Sequence, residues 1–542
     1  MHSYNDARRY SMQNMGARTP MTPGGQGSWT AIQPARKGPE QKKPRRVLPF
    51  ILLVGALIIA TVLVTSDYQR ANSALAVQVG DQQAVPIDLN QSLPISPYLL
   101  GSNVFPKAGT NSQDQAKSGF MSYDQQVVQG LRSSKVKLLR FPGGNWGEEH
   151  TLSTEQLNAF SDLLNQVGAE GFMQAQLSDP NDITPVPLET RASRAALLVD
   201  YMNNNQSIQR TGANAKAPFH PIKYWSIGNE PDLLTNPETN RKFTVAEYTQ
   251  AFIAFSLAMH QKDPNIKVFG PEISQYMGTK GPKDTTGKQW MEDFLRGVNT
   301  YERTHSLSFR LLDGVSFHRY PFDNAQKDSN KLLNNPAEWD STLPALRQFI
   351  RQQFGEDLPI AITEINTNPG RNVPPQELAA LWWGETLGKL MSNQVEYVAF
   401  FSTEGVDTPY PFFTRGLKET ALLRTTQLFA QLQNNLIPVQ GAQGPVSIYA
   451  TQDSGHKTVS LLLINKTNES KHISIRPDSL LPFSTWSSSN MTIPGYSMAV
   501  LTLHRNNSNE AFSFSNKENA QQAAPDVQHA NCGSNTDSAS VC

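Results

Sequence analysis

YWSIGNEPD, residues 224–232, is an apolar run that stops on a Gly-Asn-Glu-Pro-Asp turn. Begun at Ile222, it reads as a short buried strand, Ile222–Gly228. An amphipathic helical pattern follows at Val245–Gln261, and the next strand-like run is Lys267–Gly270. A strand, a crossover helix and a second strand make a unit with parallel strands. Outward from this unit the alternation continues in both directions. Further strands are expected at Tyr98–Val104, Val136–Phe141, Gly171–Leu177, Gly314–His318, Pro359–Thr363 and Val395–Phe401. Helical patterns near 124–133, 154–167, 189–202, 289–298, 336–354, 375–391 and 419–433 separate and follow them. Eight strands, each with a helix behind it, predict an α/β chain whose residues 94–435 form a (β/α)8 TIM barrel. An open doubly wound sheet usually has fewer strands, and no glycine-rich phosphate loop opens a helix here.

Past residue 436 the period changes. Val446–Thr451, Thr458–Asn465, His472–Ile475 and Ser497–Leu503 are strand-like and separated by turns, with no helix between them. They predict a small antiparallel β-sandwich over 436–504, joined by two short strands from 77–93. The Asn-, Ser- and Gln-rich remainder, 505–542, is expected to be disordered.

The chain has 542 residues, 47 basic and 47 acidic side chains, and so no net charge. That balance argues against a nucleic-acid partner bound by charge. The only two cysteines are Cys532 and Cys542, which excludes thiol chemistry and thiolate metal sites from the barrel. Neutrality hides an asymmetry. Residues 1–46 hold nine Lys and Arg against Asp6 and Glu40, are rich in Gly, Pro, Gln and Ser, and read as a disordered tail. VLPFILLVGALIIATVLVT, 47–65, then runs without a charge. As a helix it would span roughly 28 Å, about one hydrocarbon core. The preceding KKPRR cluster predicts a single-pass transmembrane helix with a cytoplasmic amino terminus and a catalytic domain outside the cell membrane, reached through a linker at 66–76. A cleaved signal peptide fits less well, because the run exceeds the usual core and the small-residue motif Ala74-Leu75-Ala76 lies far beyond its end.

In a barrel of this kind, the carboxyl ends of the strands face the active site. Read in order, those ends supply Arg140, Asn229-Glu230, Glu272, His318-Arg319-Tyr320, Glu364 and Glu404. Two facing carboxylates can cleave a glycosidic bond: one donates a proton to the leaving oxygen and the other attacks the anomeric carbon. Strands four and seven lie on opposite sides of the mouth, so Glu230 and Glu364 are candidates for that pair.

These residues are also recognisable as a pattern. YWSIGNEPD with PIAITEIN (359–366) resembles the retaining glycoside hydrolases of clan A. LLRFPGGNW (138–146), GPEIS (270–274) and DGVSFHRYP (313–321) are similar to segments of families 79 and 51, the β-glucuronidase and heparanase-like enzymes and the arabinofuranosidases. Families 39 and 44 share the general plan. The resemblance covers about residues 90–504. It implies Glu230 as acid/base and Glu364 as nucleophile. Asn229 would bond the sugar 2-hydroxyl, Tyr320 would donate to the nucleophile with His318 near it, and Arg140 would keep Glu364 ionised. Where many clan members carry a Trp after strand eight, this chain reads AFFSTEG. Phe401, or Tyr410, Phe412 and Phe413, would replace that sugar platform, and Trp146 is a further stacking candidate. Glu148, Glu149, Glu272 and Glu404 remain as spare carboxylates.

Together these features predict a membrane-anchored retaining glycosidase acting on a β-glycosidic or α-L-arabinofuranosidic bond of an extracytoplasmic oligo- or polysaccharide. No cofactor or metal is expected, because the histidines lack ligand spacing. A transglycosylase using the same site and a non-catalytic carbohydrate-binding protein are the rival classes. The presence of both glutamates weighs against the second.

Overall fold

Eight parallel strands close into a barrel in the computed structural model, which describes residues 48–108, 119–178, 185–322, 328–369, 374–405, 410–439, 444–478, 484–506, 509–515 and 526–532. In chain order the strands are β1 Gly101–Asn103, β2 Leu138–Phe141, β3 Glu170–Ala175, β4 Tyr224–Ile227, β5 Lys267–Ile273, β6 Gly314–Arg319, β7 Ile360–Ile365 and β8 Tyr397–Phe400. Each pairs with its successor, and β8 returns to β1 through Phe400 and Ser102. The barrel expected from the alternation is therefore present. Its strands are buried on both faces, under helices outside and side chains inside. That is why they read as apolar runs rather than as alternating patterns.

The barrel interior is divided along its axis. At the amino-terminal end, Leu138, Phe172, Tyr224, Phe269 and Ala361 form a separate apolar cluster with Tyr98 and Tyr397 against it. The rings of Tyr224 and Tyr397 meet edge-on at 5.0 Å. This plug closes the bottom, so the polar strand-end residues share the opposite end.

Two further sheets flank the barrel. The strands Ser489–Ile493, Lys471–Pro477, Ala74–Val79 and Val85–Asp88 form one. The other runs Gln528–Cys532, Asn509–Ser515, Ser497–His504, Thr458–Asn465, Val446–Gln452, Asn435–Ile437 and Leu93–Pro94. Leu75, Val77, Leu461, Leu463, Ile473 and Leu501 belong to the apolar core of these sheets. The opposite face of the longer sheet meets the barrel's helices: a Cβ on Gly388 would come within 2.3 Å of the Tyr449 ring. Only a glycine allows the helix Gln376–Ser392 to lie that close.

Two expectations need correction. The segment 66–76 is no linker. One helix runs from Leu48 to Ser73 and passes directly into the strand Ala74–Val79. Its last turn is held in place: Arg70 pairs with Asp478 at 2.9 Å, and the Asn72 carbonyl oxygen Oδ1 accepts from the backbone and hydroxyl of Thr485. Nor does order stop at residue 504. Asn509–Ser515 pairs antiparallel with Ser497–His504, Gln528–Cys532 pairs with it in turn, and Ala511 is fully buried. Polar strands at a sheet edge can form a ladder with little apolar content, which hides them from a reading by hydrophobic period. Cys532, on the last strand, is disulfide-bonded. Apart from these two, among the described residues no helix is long and apolar enough to cross a membrane. The side chains of 47–52, which open the uncharged run, lie outside the described set, as does the basic tail 1–46. Within the helix, Leu53, Leu57, Ile58, Ile59, Val62 and Leu63 are 57–69% exposed.

Cutting the chain after His504 strips the ladder from the edge of the strand Ser497–His504. With each lost hydrogen bond worth roughly 0.5–1.5 kcal/mol net, such a chain should unfold at a lower temperature than one ending at Cys542. Coincident melting curves would show that the last two strands add nothing.

Candidate active site

Arg140 stands one residue before the end of β2, with its guanidinium fully buried in the carboxyl end of the barrel. Its Nη1 donates to Asn103 Oδ1 and Glu364 Oε1, and its Nη2 to Asn229 Oδ1 and Glu272 Oε2, all at 2.8 Å. The acceptors come from the ends of β1, β7, β4 and β5. A planar, permanently charged fork can serve four acceptors in one plane, which a lysine cannot. Burial works against the charge, but Glu272 and Glu364 outweigh it and raise the guanidinium above its usual value.

Glu364 is held on both oxygens. Oε1 accepts from Arg140, and Oε2 accepts from the Tyr320 hydroxyl at 2.8 Å. Burial first, and Glu364 second, push the Tyr320 phenol well above its ordinary range, so it remains a donor. Gln275 fixes Tyr320 by accepting from its backbone nitrogen and donating to its carbonyl. The loop after β2 closes over Glu364 through Gly144, whose φ is 67°. A Cβ there would stand 2.4 Å from Glu364 Oε1. The Gly-Gly of LLRFPGGNW is thus a steric requirement of the site.

His318 lies between three carboxylates. Nδ1 is 3.0 Å from Glu230 Oε1 and 3.6 Å from Glu364 Oε2, and Nε2 is 3.4 Å from Glu272 Oε2. Facing carboxylates from both nitrogens, the ring donates from both. Burial opposes its charge, but Glu364, Glu230 and Glu272 raise the imidazole to about 10. Glu272 shows the inverse balance: burial disfavours its charge, while Arg140 and then His318 bring the carboxyl down to about 2.

Glu230 and Glu364 face a cleft of about 510 Å³ whose walls include Tyr320, Trp146, Phe401 and Phe105. An oxygen of each glutamate and a nitrogen of His318 all lie within 4.8 Å of one another. Those three are also, among the described residues, the one grouping of potential metal donors. Arg140 already sits beside Glu364 as a fixed cation, and His318 turns a donor toward Glu230. The arrangement therefore suits shared protons better than a divalent ion. Asn229 is oriented from both ends: its Oδ1 accepts from Arg140 and its Nδ2 donates to Asn145 Oδ1 at 2.9 Å.

The structure thus brings Glu230, Glu364, Asn229, Tyr320, His318 and Arg140 together, with Trp146 and Phe401 on the cleft wall. Phe412 and Phe413 are not part of that wall. Both are fully buried, Phe412 stacked on Phe400 at 4.6 Å. The Tyr410 hydroxyl is tied to the Pro374 carbonyl. The spare carboxylates separate as well. Glu148 accepts from Gln174, Leu177 and Ser178 and braces the end of β3. Glu149 lines the cleft. Glu404 accepts from the Ser122 backbone at 2.6 Å, and burial pushes it up to about 7. Asn103, Asn145, Gln275 and Thr363 escape a sequence reading. Asn103 alone carried a usable signal, as the polar residue that ends β1.

A sequence profile for glycoside hydrolase family 44 matches residues 152–323. An intracellular exo-α-(1→5)-L-arabinofuranosidase of Acetivibrio thermocellus is 25% identical over 258 residues, which are 44% of this chain and 47% of that protein. The chain spans about half the length of that curated relative. Among solved structures, an α-L-arabinofuranosidase from Thermotoga maritima in complex with arabinose superposes with a TM-score of 0.54 at 14% identity, over 76% of this chain and 97% of its own. A Paenibacillus polymyxa xyloglucanase from glycoside hydrolase family 44 gives 0.53 at 14% identity, with the same two coverages. The profile match and the curated relative support a glycoside hydrolase of clan A. At these identities the structural likenesses speak for the shared barrel-and-sheet fold, and the strand-end chemistry described above stands on its own geometry.

Arg140→Met leaves Glu272 and Glu364 buried without their cation. It should destabilise the protein by about 3–5 kcal/mol at neutral pH. The deficit should shrink as the pH falls, because the stranded carboxylates take up protons before the paired ones do. Denaturant titrations at several pH values check both statements; a pH-independent deficit contradicts the charge account.

Proposed function

We propose that the protein is a retaining glycoside hydrolase that cleaves β-glycosidic or α-L-arabinofuranosidic bonds in an oligo- or polysaccharide by double displacement. The observation that carries this reading is the approach of Glu230 and Glu364 to within 4.8 Å, oxygen to oxygen. Retaining pairs stand about 5–5.5 Å apart, whereas inverting pairs need about 6.5–9.5 Å to admit a water. The names of the arabinofuranosidase and xyloglucanase relatives support the two substrate classes.

Glu364 attacks the anomeric carbon while Glu230 protonates the departing oxygen. Arg140 and Tyr320 each donate to one oxygen of Glu364 and hold it aimed at the start of the reaction. In the second step Glu230 takes a proton from water, which displaces Glu364 from the sugar. Asn229 Nδ2 bonds the 2-hydroxyl, an interaction that strengthens as the oxocarbenium-like charge develops. Phe401 and Trp146 offer ring faces to the sugar, in place of a Trp after β8.

The two glutamates should fail differently. Glu364→Gln removes the attacking oxygen and should abolish turnover of 4-nitrophenyl α-L-arabinofuranoside, 4-nitrophenyl β-cellobioside and intact polysaccharide alike. Glu230→Gln removes proton donation, which is worth ~10²–10⁴-fold, so it should spare the first step for a nitrophenol leaving group and cripple it for a sugar one. Azide should then restore turnover by attacking the trapped intermediate with retention. Near-normal activity in Glu364→Gln, or equal losses with no azide rescue in Glu230→Gln, would falsify the assignment.

The uncharged run 47–65, preceded by KKPRR, supports a place at the cell membrane with the barrel outside. The exposed apolar side chains of the helix Leu48–Ser73 favour the same reading. Protease added to intact cells should then digest the barrel. A protected barrel removes the topology while leaving the enzymology untouched.

A further inference from the structure

Glu272 is a fully buried carboxylate that the double-displacement scheme leaves without a role. It cannot act on the sugar, since the Glu272 side chain is 0% exposed. Its backbone is also in an unfavourable region, with φ at 59°, where a glycine or asparagine would sit more comfortably. Packing alone does not call for a charged side chain at such a position. Each of its oxygens is used: Oε1 accepts from the Thr363 hydroxyl at 2.9 Å, and Oε2 accepts from Arg140 at 2.8 Å and from His318 Nε2 at 3.4 Å. These two cations are the same groups that contact the reacting pair, Arg140 on Glu364 and His318 on Glu230. The Glu272 carbonyl, moreover, accepts from the Glu230 backbone nitrogen at 2.9 Å.

A charge count shows what this arrangement does. Arg140 and His318 carry two positive charges, and Glu272 and Glu364 carry two negative ones. The buried cluster is neutral when Glu230 holds its proton, which is the form that can protonate a leaving group. We propose that Glu272 is a positioning residue for the reaction: a fixed counter-ion, shared by Arg140 and His318, that keeps the cluster balanced with the proton on Glu230. It also divides the attraction of Arg140. Without Glu272, the guanidinium would turn fully onto Glu364 and blunt its attack. When Glu364 becomes an ester in the glycosyl-enzyme, Glu272 remains as the anion that holds Arg140 in place. The carboxyl held down at about 2 and the imidazole raised to about 10 agree with this geometry. The other titratable groups facing Glu272 are Glu230, Glu364 and the Tyr248 phenol, which donates to the Ile227 carbonyl and stays neutral.

This inference rests on the hydrolase reading, and its test separates the two. Glu272→Gln keeps the shape and removes the charge, so the cluster should give up a proton at lower pH. Lost from Glu230, that proton leaves no acid; lost from His318, it leaves a ring that accepts the Glu230 proton instead of the substrate. Either way, the alkaline limb of kcat/KM should move to lower pH by about 1–3 units, the range over which one nearby charge acts. Cellotetraose and methyl α-L-arabinofuranoside are the probes, because their leaving groups need protonation. Glu272→Asp retains the charge and should keep the limb in place even where kcat falls. A role in packing alone would lower activity or stability in both variants without moving the limb. If Glu272→Gln does not fold, His318→Asn is compared with His318→Asn/Glu272→Gln; the double variant should show the limb at lower pH. A folded Glu272→Gln with an unmoved limb, or coincident limbs in the second comparison, overturns the proposal. A native protein that turns over no glycoside counts against the hydrolase reading itself.

Discussion

One buried guanidinium organises the working end of this barrel. Arg140 donates to residues at the ends of β1, β4, β5 and β7, so a single planar group ties strands that are distant in sequence and on different sides of the mouth. Burying an arginine is costly unless its charge is matched and its donors are used. Glu272 and Glu364 supply the charge, and Asn103 and Asn229 take the remaining Nη hydrogens, leaving only Nε without a partner. Removing any one of them leaves the others with an imbalance, which makes the cluster a unit rather than a set of contacts. Glu364 is therefore positioned by the fold as a whole, through Arg140, rather than by its own strand alone.

This arrangement depends on the division of the barrel interior. A packed aromatic layer fills the amino-terminal end, and the charges occupy the carboxyl end. The apolar layer beneath keeps water from the charged groups, so each ion pair acts in a low dielectric, where a missing partner is expensive. That is why Tyr320 remains a donor and why His318 carries a second proton: their surroundings are too poorly solvated to absorb an unpaired carboxylate. The open side of the cluster is the cleft, and Glu230, with its side chain 14% exposed, is the member nearest to solvent. An acid/base residue has to exchange protons with water between its two steps, and a nucleophile does not.

Much of this was legible in the sequence because the barrel repeats one unit. Apolar runs bounded by helical patterns identified all eight strands, with errors of a few residues at the ends, and the strand ends identified Arg140, Glu230, His318, Tyr320 and Glu364. Two classes of feature were not legible. Polar edge strands such as Asn509–Ser515 carry too little hydrophobic period to separate them from a disordered tail. Side chains that act on other side chains, such as Gln275 and Thr363, have no pattern of their own, since their importance arises only when distant strands meet. Glu272 lies between these cases. Its position at the end of β5 marked it as a candidate, but its burial, which turns it from a rival acid into a counter-ion, is a property of the closed barrel. The aromatic substitution after β8 divided in the same way. Phe401 reached the cleft, whereas Phe412 and Phe413 went into the core, where three-dimensional packing rather than local sequence decides.

Backbone strain supplies an independent sign of which groups the fold is built to hold. Among the described non-glycine residues with positive φ, two are the glutamates Glu230 and Glu272, at 47° and 59°. Each conformation costs roughly 1–3 kcal/mol, and the two are joined by the hydrogen bond from the Glu230 nitrogen to the Glu272 carbonyl. Relaxing either one would turn its carboxylate away from His318. The imidazolium and the strained turns therefore hold each other: the ring fixes the two side chains, and the barrel closure fixes the two backbones that present them. A site assembled in this way keeps its geometry before a substrate arrives, so less reorganisation is left for the moment of reaction. The strain sits at the acid/base candidate and at the counter-ion behind it, whereas Glu364 lies within strand β7 and is not among the residues with positive φ. This is the arrangement expected if Glu364 needs only to be aimed, while Glu230 must be held against the charge of its neighbours.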